Sequence, residues 1–362
     1  MNKPGCLAVA VTCMLAATMS LPAGAIPPPP PPPCIPASPA VTVEALAGVL
    51  AGKGESRQQE CAAKDLAARG AAGVPVAVRL LGVRDSNTVM LALMALADMG
   101  PHAQAALPAL MERIRKATAA GDKYLYDAVA AIGPGARPAI PLLITKSRDP
   151  RQRYLALRAL GRLGKHDASR VVPYLESMLQ GRQHEETVLD ALSDIGKDAR
   201  AALPATLVSL EQAKAAGDHM HGASAVNALL AIGEPGESIP VLTGLLHDPV
   251  LANDAVLGLA RLGPAAASAV PALIAKLASS RYDSSLPDNI ASALATIAPG
   301  SPAVQRQLLV ESTQYQNEMA AIALAAISPL PPDFAPALAA VLARKPGDYF
   351  LGKALENTRR VK

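Results

Sequence analysis

Apolar side chains along this chain recur at helical spacing, and that pattern itself repeats. From about residue 43 a proline follows an apolar residue at Val74-Pro75, Leu107-Pro108, Ile140-Pro141, Val172-Pro173, Leu203-Pro204, Ile239-Pro240, Val270-Pro271 and Ala335-Pro336. The first seven of these prolines lie 31 to 36 residues apart; the last gap of 65 is two periods with one proline missing near Arg306. A small turn residue precedes most of them by about eight positions: Gly100, Gly133, Gly164, Gly196, Gly233 and Gly263, then Ala298 and Ser328. Counting back one, four, five and eight positions from it gives Leu163, Leu160, Ala159 and Ala156 in one block and Ile195, Leu192, Ala191 and Val188 in the next. Those offsets mark one face of an α-helix. The fifth position back is Ala throughout except for Gly258, which lets a neighbouring helix approach closely.

A second apolar stripe starts at the proline. Leu110, Leu143, Leu175, Leu242, Leu273 and Leu338 sit two positions after it, and Ile114, Leu179, Leu210, Leu246, Leu277 and Leu342 six after. Gly-Pro steps such as Gly100-Pro101 and Gly263-Pro264 end one helix and open another. Each block therefore predicts two helices, with the later proline in the early turns of the second, where a missing N–H costs least. Asp85, Asp149 and Asp248 mark turns between blocks and are candidate caps for the following helix. Two blocks have longer lead-ins, Ala117 to Lys123 and Ala213 to Met220, both containing Ala-Ala-Gly-Asp. The expected fold class is all-α, an α-α superhelix of about nine helix pairs over residues 43–345, closed by a C-terminal capping helix and tail at 346–362.

The pattern Ala-Leu-x-x-Ile/Leu-Gly-Pro, followed by an apolar-Pro-x-Leu step, resembles HEAT repeats, in particular the short bacterial kind also seen in phycobilisome lyases. The stretch from Asp149 to Gly164 matches best. The resemblance covers about residues 43 to 345 and implies a solenoid, a frame shared by many binding roles. A lyase activity is not implied, because those proteins are cytoplasmic whereas this chain carries an export signal.

That signal is read from the first residues. Lys3 supplies a positive start, Leu7 to Met19 an apolar stretch, and Ala23-Gly24-Ala25 a small-residue cleavage site. A secretory signal peptide at 1–25, cleaved after Ala25, is expected, delivering the chain to the periplasm or outside the cell. The apolar stretch is shorter than the roughly 20 residues a membrane span needs, and no stable span is expected after cleavage. Pro27 to Pro33 is an unbroken proline run, so 26–42 reads as a stiff polyproline spacer. Once the leader is removed, Cys34 and Cys61 remain. In an oxidising compartment they pair as a disulfide or stay as two thiols, and the disulfide is favoured.

Composition narrows the function. With 34 basic and 30 acidic residues and only 2% aromatics, the chain lacks both the basic excess and the stacking side chains of a nucleic-acid binder. No nucleophile elbow, phosphate loop or dinucleotide fingerprint is present. No cofactor is expected. Asp218-His219-Met220-His221 is the one compact group of metal-ligand types, and His219 and His221 are weak candidates for a metal or pH-sensitive contact. The expected role is a non-catalytic, monomeric scaffold binding a protein or peptide through a concave face. Second helices are expected to line that face, with Leu142, Lys146, Tyr174, Met178, Val241 and Leu245 as candidate contacts; the alternative for these six is packing between repeats. A lyase-like enzyme subunit and an envelope metal or pH sensor are the competing functions.

Overall fold

A computed structural model describes Cys34 and residues 41–52, 54–117, 123–182, 184–280 and 285–359. The expected leader (1–25), most of the proline spacer, the centre of the first long lead-in and the last residues of the tail lie outside the described residues.

Among the described residues there is no strand. The helices are α1 (Val43–Ala51), α2 (Ser56–Ala68), α3 (Val74–Leu80), α4 (Ser86–Met99), α5 (Leu107–Lys116), α6 (Lys123–Ala131), α7 (Ile140–Ser147), α8 (Arg153–Gly164), α9 (Ala168–Gln180) and α10 (Glu185–Ile195). They continue as α11 (Leu203–Ala216), α12 (His219–Ile232), α13 (Pro235–Leu245), α14 (Ala252–Leu262), α15 (Val270–Ser279), α16 (Leu286–Ile297), α17 (Pro302–Gln314), α18 (Glu318–Ala326), α19 (Ala335–Leu342) and α20 (Tyr349–Asn357). From α2 to α19 these form nine consecutive pairs, an even-numbered first helix and an odd-numbered second one, with α1 and α20 at the ends. Each element packs on its own pair and on the adjoining pairs, which makes the chain a helical solenoid.

The turns explain the period. Gly100, Gly133, Gly196 and Gly263 end their first helices with φ of +56°, +68°, +74° and +57°, a conformation that costs an L side chain heavily. A short 3-10 run follows each, and the second helix restarts just before its proline. At Gly133 the chain turns through 120°. Pro75, Pro108, Pro141, Pro204, Pro271 and Pro336 stand in the first two positions of their helices, as the pattern predicts. Pro173 and Pro240 differ: in α9 and α13 the α-register replaces the 3-10 run, so these prolines fall inside the helix. Ala252 to Ser279 is, by length and composition, apolar enough to cross a membrane, contrary to the expectation that no such stretch exists. In the fold it is broken by the Gly263 turn into α14 and α15 and forms one ordinary repeat.

The core is a continuous row of Leu, Ile, Val and Ala. Leu96, Val129, Leu160, Leu192, Leu229, Leu259, Leu294 and Leu324, all four before the turn, are fully buried. Each such side chain contributes about 1.5–3 kcal/mol on burial. Asp85 caps α4 by accepting the Thr88 N–H at 2.7 Å, and its hydrogen bonds with Thr88 hold its carboxyl below the usual range. Asp248 instead braces the turn before α14, accepting from the N–H groups of Val250 and Leu251, and Asp149 accepts from Arg151.

Junctions between pairs are sealed by buried side-chain amides. Gln59 donates to the carbonyls of Leu50 and Gly52 at the end of α1. Gln152, 1% exposed, donates to the carbonyl of Ala117 after α5 and accepts from the Tyr126 hydroxyl of α6. Asn357, 2% exposed, donates to the carbonyls of Ala325 and Ile327 at the end of α18. Each amide supplies donors to helix-end carbonyls that have no partner within their own helix. At the N-terminal end, Cys34 and Cys61 are joined by a disulfide, with 5.4 Å between their Cα atoms, so the chain at residue 34 is tied to α2.

Candidate functional site

Small residues on the first helices let neighbouring pairs approach closely. A Cβ placed on Gly161 of α8 would lie 2.8 Å from the Ala191 Cα and 3.0 Å from its carbonyl oxygen in α10. The first helices α8 and α10 therefore touch almost backbone to backbone. Side chains bond directly from one first helix to the next: Arg158 and Arg162 to Asp127, Arg261 to Asn227, and Asn289 to Asn253. Second helices stand apart. Open grooves of about 410 Å³ between α9 and α11 and about 460 Å³ between α3 and α5 separate them. First helices of neighbouring pairs thus pack more closely than second helices do.

The six second-helix candidates fall accordingly into packing positions. Met178 and Leu245 are buried, at 6% and 3% exposure, and cannot meet a partner. Leu142, Tyr174 and Val241 are half-buried against the core. The Tyr174 hydroxyl bonds the Ser147 hydroxyl of the preceding pair at 2.7 Å. Lys146 donates to the carbonyls of Arg115 and Ala117, so its charge closes the end of α5.

The cluster at Asp218 is likewise divided. Asp218 caps α12 through the His221 N–H. His219 reaches forward to Asp254 of α14 at 3.1 Å, while His221 reaches back to Glu185 of α10 at 2.8 Å. The two rings serve different repeats and do not converge on one ion, and among the described residues no group of three or more His, Cys, Asp and Glu is placed to hold a metal. His221 Nε2 also lies 2.7 Å from the Ser209 hydroxyl. Serine, histidine and glutamate together suggest a nucleophilic relay, but both partners approach the same ring nitrogen. A relay divides them between the two nitrogens, one toward the hydroxyl and one toward the carboxylate. Ser209 is moreover only 3% exposed. The trio is a packing contact that joins α10, α11 and α12.

What the first-helix face does present is a groove of about 320 Å³ spanning α8, α10 and α12, lined by Tyr154, Arg158, Asp190, Asp194 and Asn227 among others. Tyr154 is 58% exposed. Arg158 is held between Asp127 and Tyr154, and the bond to Asp127 raises its pKa. Asp190 is shifted the other way from a paired acid: its position within the groove desolvates it and raises its pKa, Asp194 adds to the rise, and a hydrogen bond with Ser224 opposes it. Sequence reasoning missed these residues because it followed only the apolar offsets. The signal was available two and six positions before the turn, where Asp127, Arg158, Asp190 and Asn227 form one column and Arg162 and Asp194 belong to the other.

The raised pKa of Asp190 gives a signed prediction. The native state favours the protonated carboxyl more than the unfolded chain does, so ionisation at neutral pH subtracts from stability. Asp190→Asn should raise the thermal midpoint modestly at pH 7, and the difference should close as pH falls below about 4, where the carboxyl is protonated in both states. A variant less stable than the parent at pH 7 would contradict this account.

No known family model matches the chain, and no curated protein matches it in sequence. Solved structures do match. The karyopherin Kap121p, bound to the extreme C-terminus of the protein phosphatase Cdc14p, aligns over 89% of this chain and 42% of its own at a TM-score of 0.53 and 16% identity. Kap95p, whose binding induces the switch loops of RanGDP to adopt the GTP-bound conformation, aligns over 88% and 51% at a TM-score of 0.56 and 12% identity. Kap121p alone aligns over 90% and 42% at 0.52 and 16%. The chain spans about two fifths to one half of the length of these structures, and the likeness is one of fold: a helical solenoid of HEAT and armadillo type.

Proposed function

We propose that this chain is an exported, non-catalytic, monomeric scaffold that binds an extended stretch of a protein partner along its first-helix face, centred on the groove between Tyr154 and Asn227. The observation that carries this reading is the groove itself: it runs across three successive repeats and gathers an exposed aromatic ring with charged and amide side chains in a chain otherwise rich in small apolar residues. A solenoid offers an extended curved surface rather than a closed pocket, which suits a linear ligand held by a few anchors. Kap121p bound to the extreme C-terminus of Cdc14p is a neighbour in fold that holds a protein segment. Export is supported by the leader pattern at 1–25 and by the Cys34–Cys61 disulfide, a bond favoured in oxidising compartments.

A photoreactive amino acid placed at Tyr154 should crosslink the partner in intact cells, while the same group at Val208, in the groove between second helices, should not. Crosslinking from Val208 alone would sink the assignment of the face. N-terminal sequencing of the chain recovered outside the cytoplasm should begin at Ile26; a retained Met1 would overturn processing.

A further inference from the structure

We propose that the array docks on an anionic lipid surface through one edge, the row of junctions between successive pairs, along its stretch from Arg84 to Arg153. The proposal stands independently of the first-helix groove, which meets this edge at Tyr154.

Contacts between the junctions set them side by side. Arg113 near the end of α5 donates to the carbonyl of Leu81 at the previous junction, and Lys146 near the end of α7 reaches back to the carbonyls of Arg115 and Ala117. At the next junction, desolvation and then the charge of Arg153 push the His184 pKa down. Positive charge is concentrated in this part of the chain. Thirteen of the 34 basic residues and only four of the 30 acidic ones fall between Arg113 and Arg170; from Glu185 onward the balance reverses, with 18 acidic residues against 13 basic.

On the opposite edge cations are matched by acids, Lys197 with Glu234 and Arg200 with Glu237. Here they are not. Among the described residues Arg84, Lys123, Arg148 and Arg153 form no ion pair: Arg153 donates to the carbonyls of Ser147 and Arg148, and Lys123 lies over the Tyr124 ring. The acids along this stretch are occupied. Asp85 and Asp149 accept from backbone N–H groups at their turns, and Glu112 pairs with Arg115 and Lys116. The exposed Arg84, Lys123 and Arg148 stand at loop tips and helix ends, where a broad surface can reach all three at once.

A second feature selects lipid over an acidic polypeptide. At three successive junctions an apolar or aromatic side chain adjoins the cation: Val83 before Arg84, Tyr124 after Lys123 and Tyr154 after Arg153. Val83 and Tyr154 are exposed. The boundary of a bilayer takes up such pairs, with the charge at the headgroup phosphates and the apolar body beneath it.

The test uses the chain from Ile26 onward, which holds every helix and the disulfide but not the apolar leader. Vesicles of phosphatidylcholine with about 30 mol% phosphatidylglycerol should sediment it, phosphatidylcholine alone should not, and about 0.5 M salt should release it. The Arg84→Gln, Lys123→Gln, Arg148→Gln triple variant should keep the parent's thermal midpoint and bind about a hundredfold more weakly. Arg137→Gln, Lys165→Gln, on the opposite edge, should bind as the parent does. Because the chain has no tryptophan, a single one reports its own surroundings. Emission from Val83→Trp should move to shorter wavelength on adding the phosphatidylglycerol vesicles, and emission from Val208→Trp, in the groove between α9 and α11, should stay. Equal capture by both vesicles, capture by neither, capture that resists salt, a triple variant that binds like the parent, or a shift at Val208 without one at Val83 would each overturn the proposal. Polyglutamate that binds as tightly as the vesicles would assign the edge to an acidic polypeptide and overturn it too.

Discussion

Gly161→Val should lower stability by about 3 kcal/mol and loosen the array between α8 and α10. The Cβ of the new side chain would arrive 2.8 Å from the Ala191 Cα and 3.2 Å from its Cβ, and neither can rotate away because both are fixed by the α10 backbone. The two helices must separate, which opens the core around the buried Leu160 and Leu192. Overpacking of this kind costs about 1–3 kcal/mol and more where backbone is the obstacle. The thermal midpoint should drop by roughly 5 °C. Hydrogen exchange should accelerate most in α8 and α10, since a repeat array loosens where its neighbours lose contact. Gly48→Ala is the control: nothing lies within 4 Å of the added atom in the exposed middle of α1, and alanine there should stabilise by about 0.5–1 kcal/mol. A Gly161→Val protein that melts with the parent and exchanges at its rates would show that the first-helix layer is not close-packed.

Asn357→Leu is the second large effect. Its amide is buried and donates to the Ala325 and Ile327 carbonyls at 3.0 and 2.8 Å. Leucine keeps the branched shape and removes both donors. A buried polar group stripped of its partner costs about 1–3 kcal/mol, so the variant should lose roughly 2–4 kcal/mol from this junction. The loss should be local: α20 detaches from α18, and limited proteolysis should cut between α19 and α20 while the array from α2 to α17 persists. Uncut protein at protease levels that spare the parent would refute the role of the amide.

Much of this fold is written in the chain's spacing. The turn glycines, the apolar offsets and the nine pairs were legible because a solenoid repeats one local solution, and every repeat is an independent sample of the same rule. The burial of the second-helix candidates was not: Met178 and Leu245 flank the apolar stripe and are themselves core. Asp190 and Asp194 were hidden for a different reason. An acid on an exposed helix face looks like ordinary solvation until the neighbouring repeats are known to gather it into one groove with Tyr154 and Arg158.

The unequal spacing of the two layers has a mechanical consequence. The first-helix row, in backbone contact where Gly161 meets Ala191, is stiff in compression there. The second-helix row, with open grooves between its helices, has slack to take up. Such a strip behaves as a leaf spring: it straightens or coils by widening or narrowing its second-helix gaps, with each repeat contributing a small rotation. One array can then follow ligands of different bulk by changing its bend a little at every joint, without a hinge at any of them.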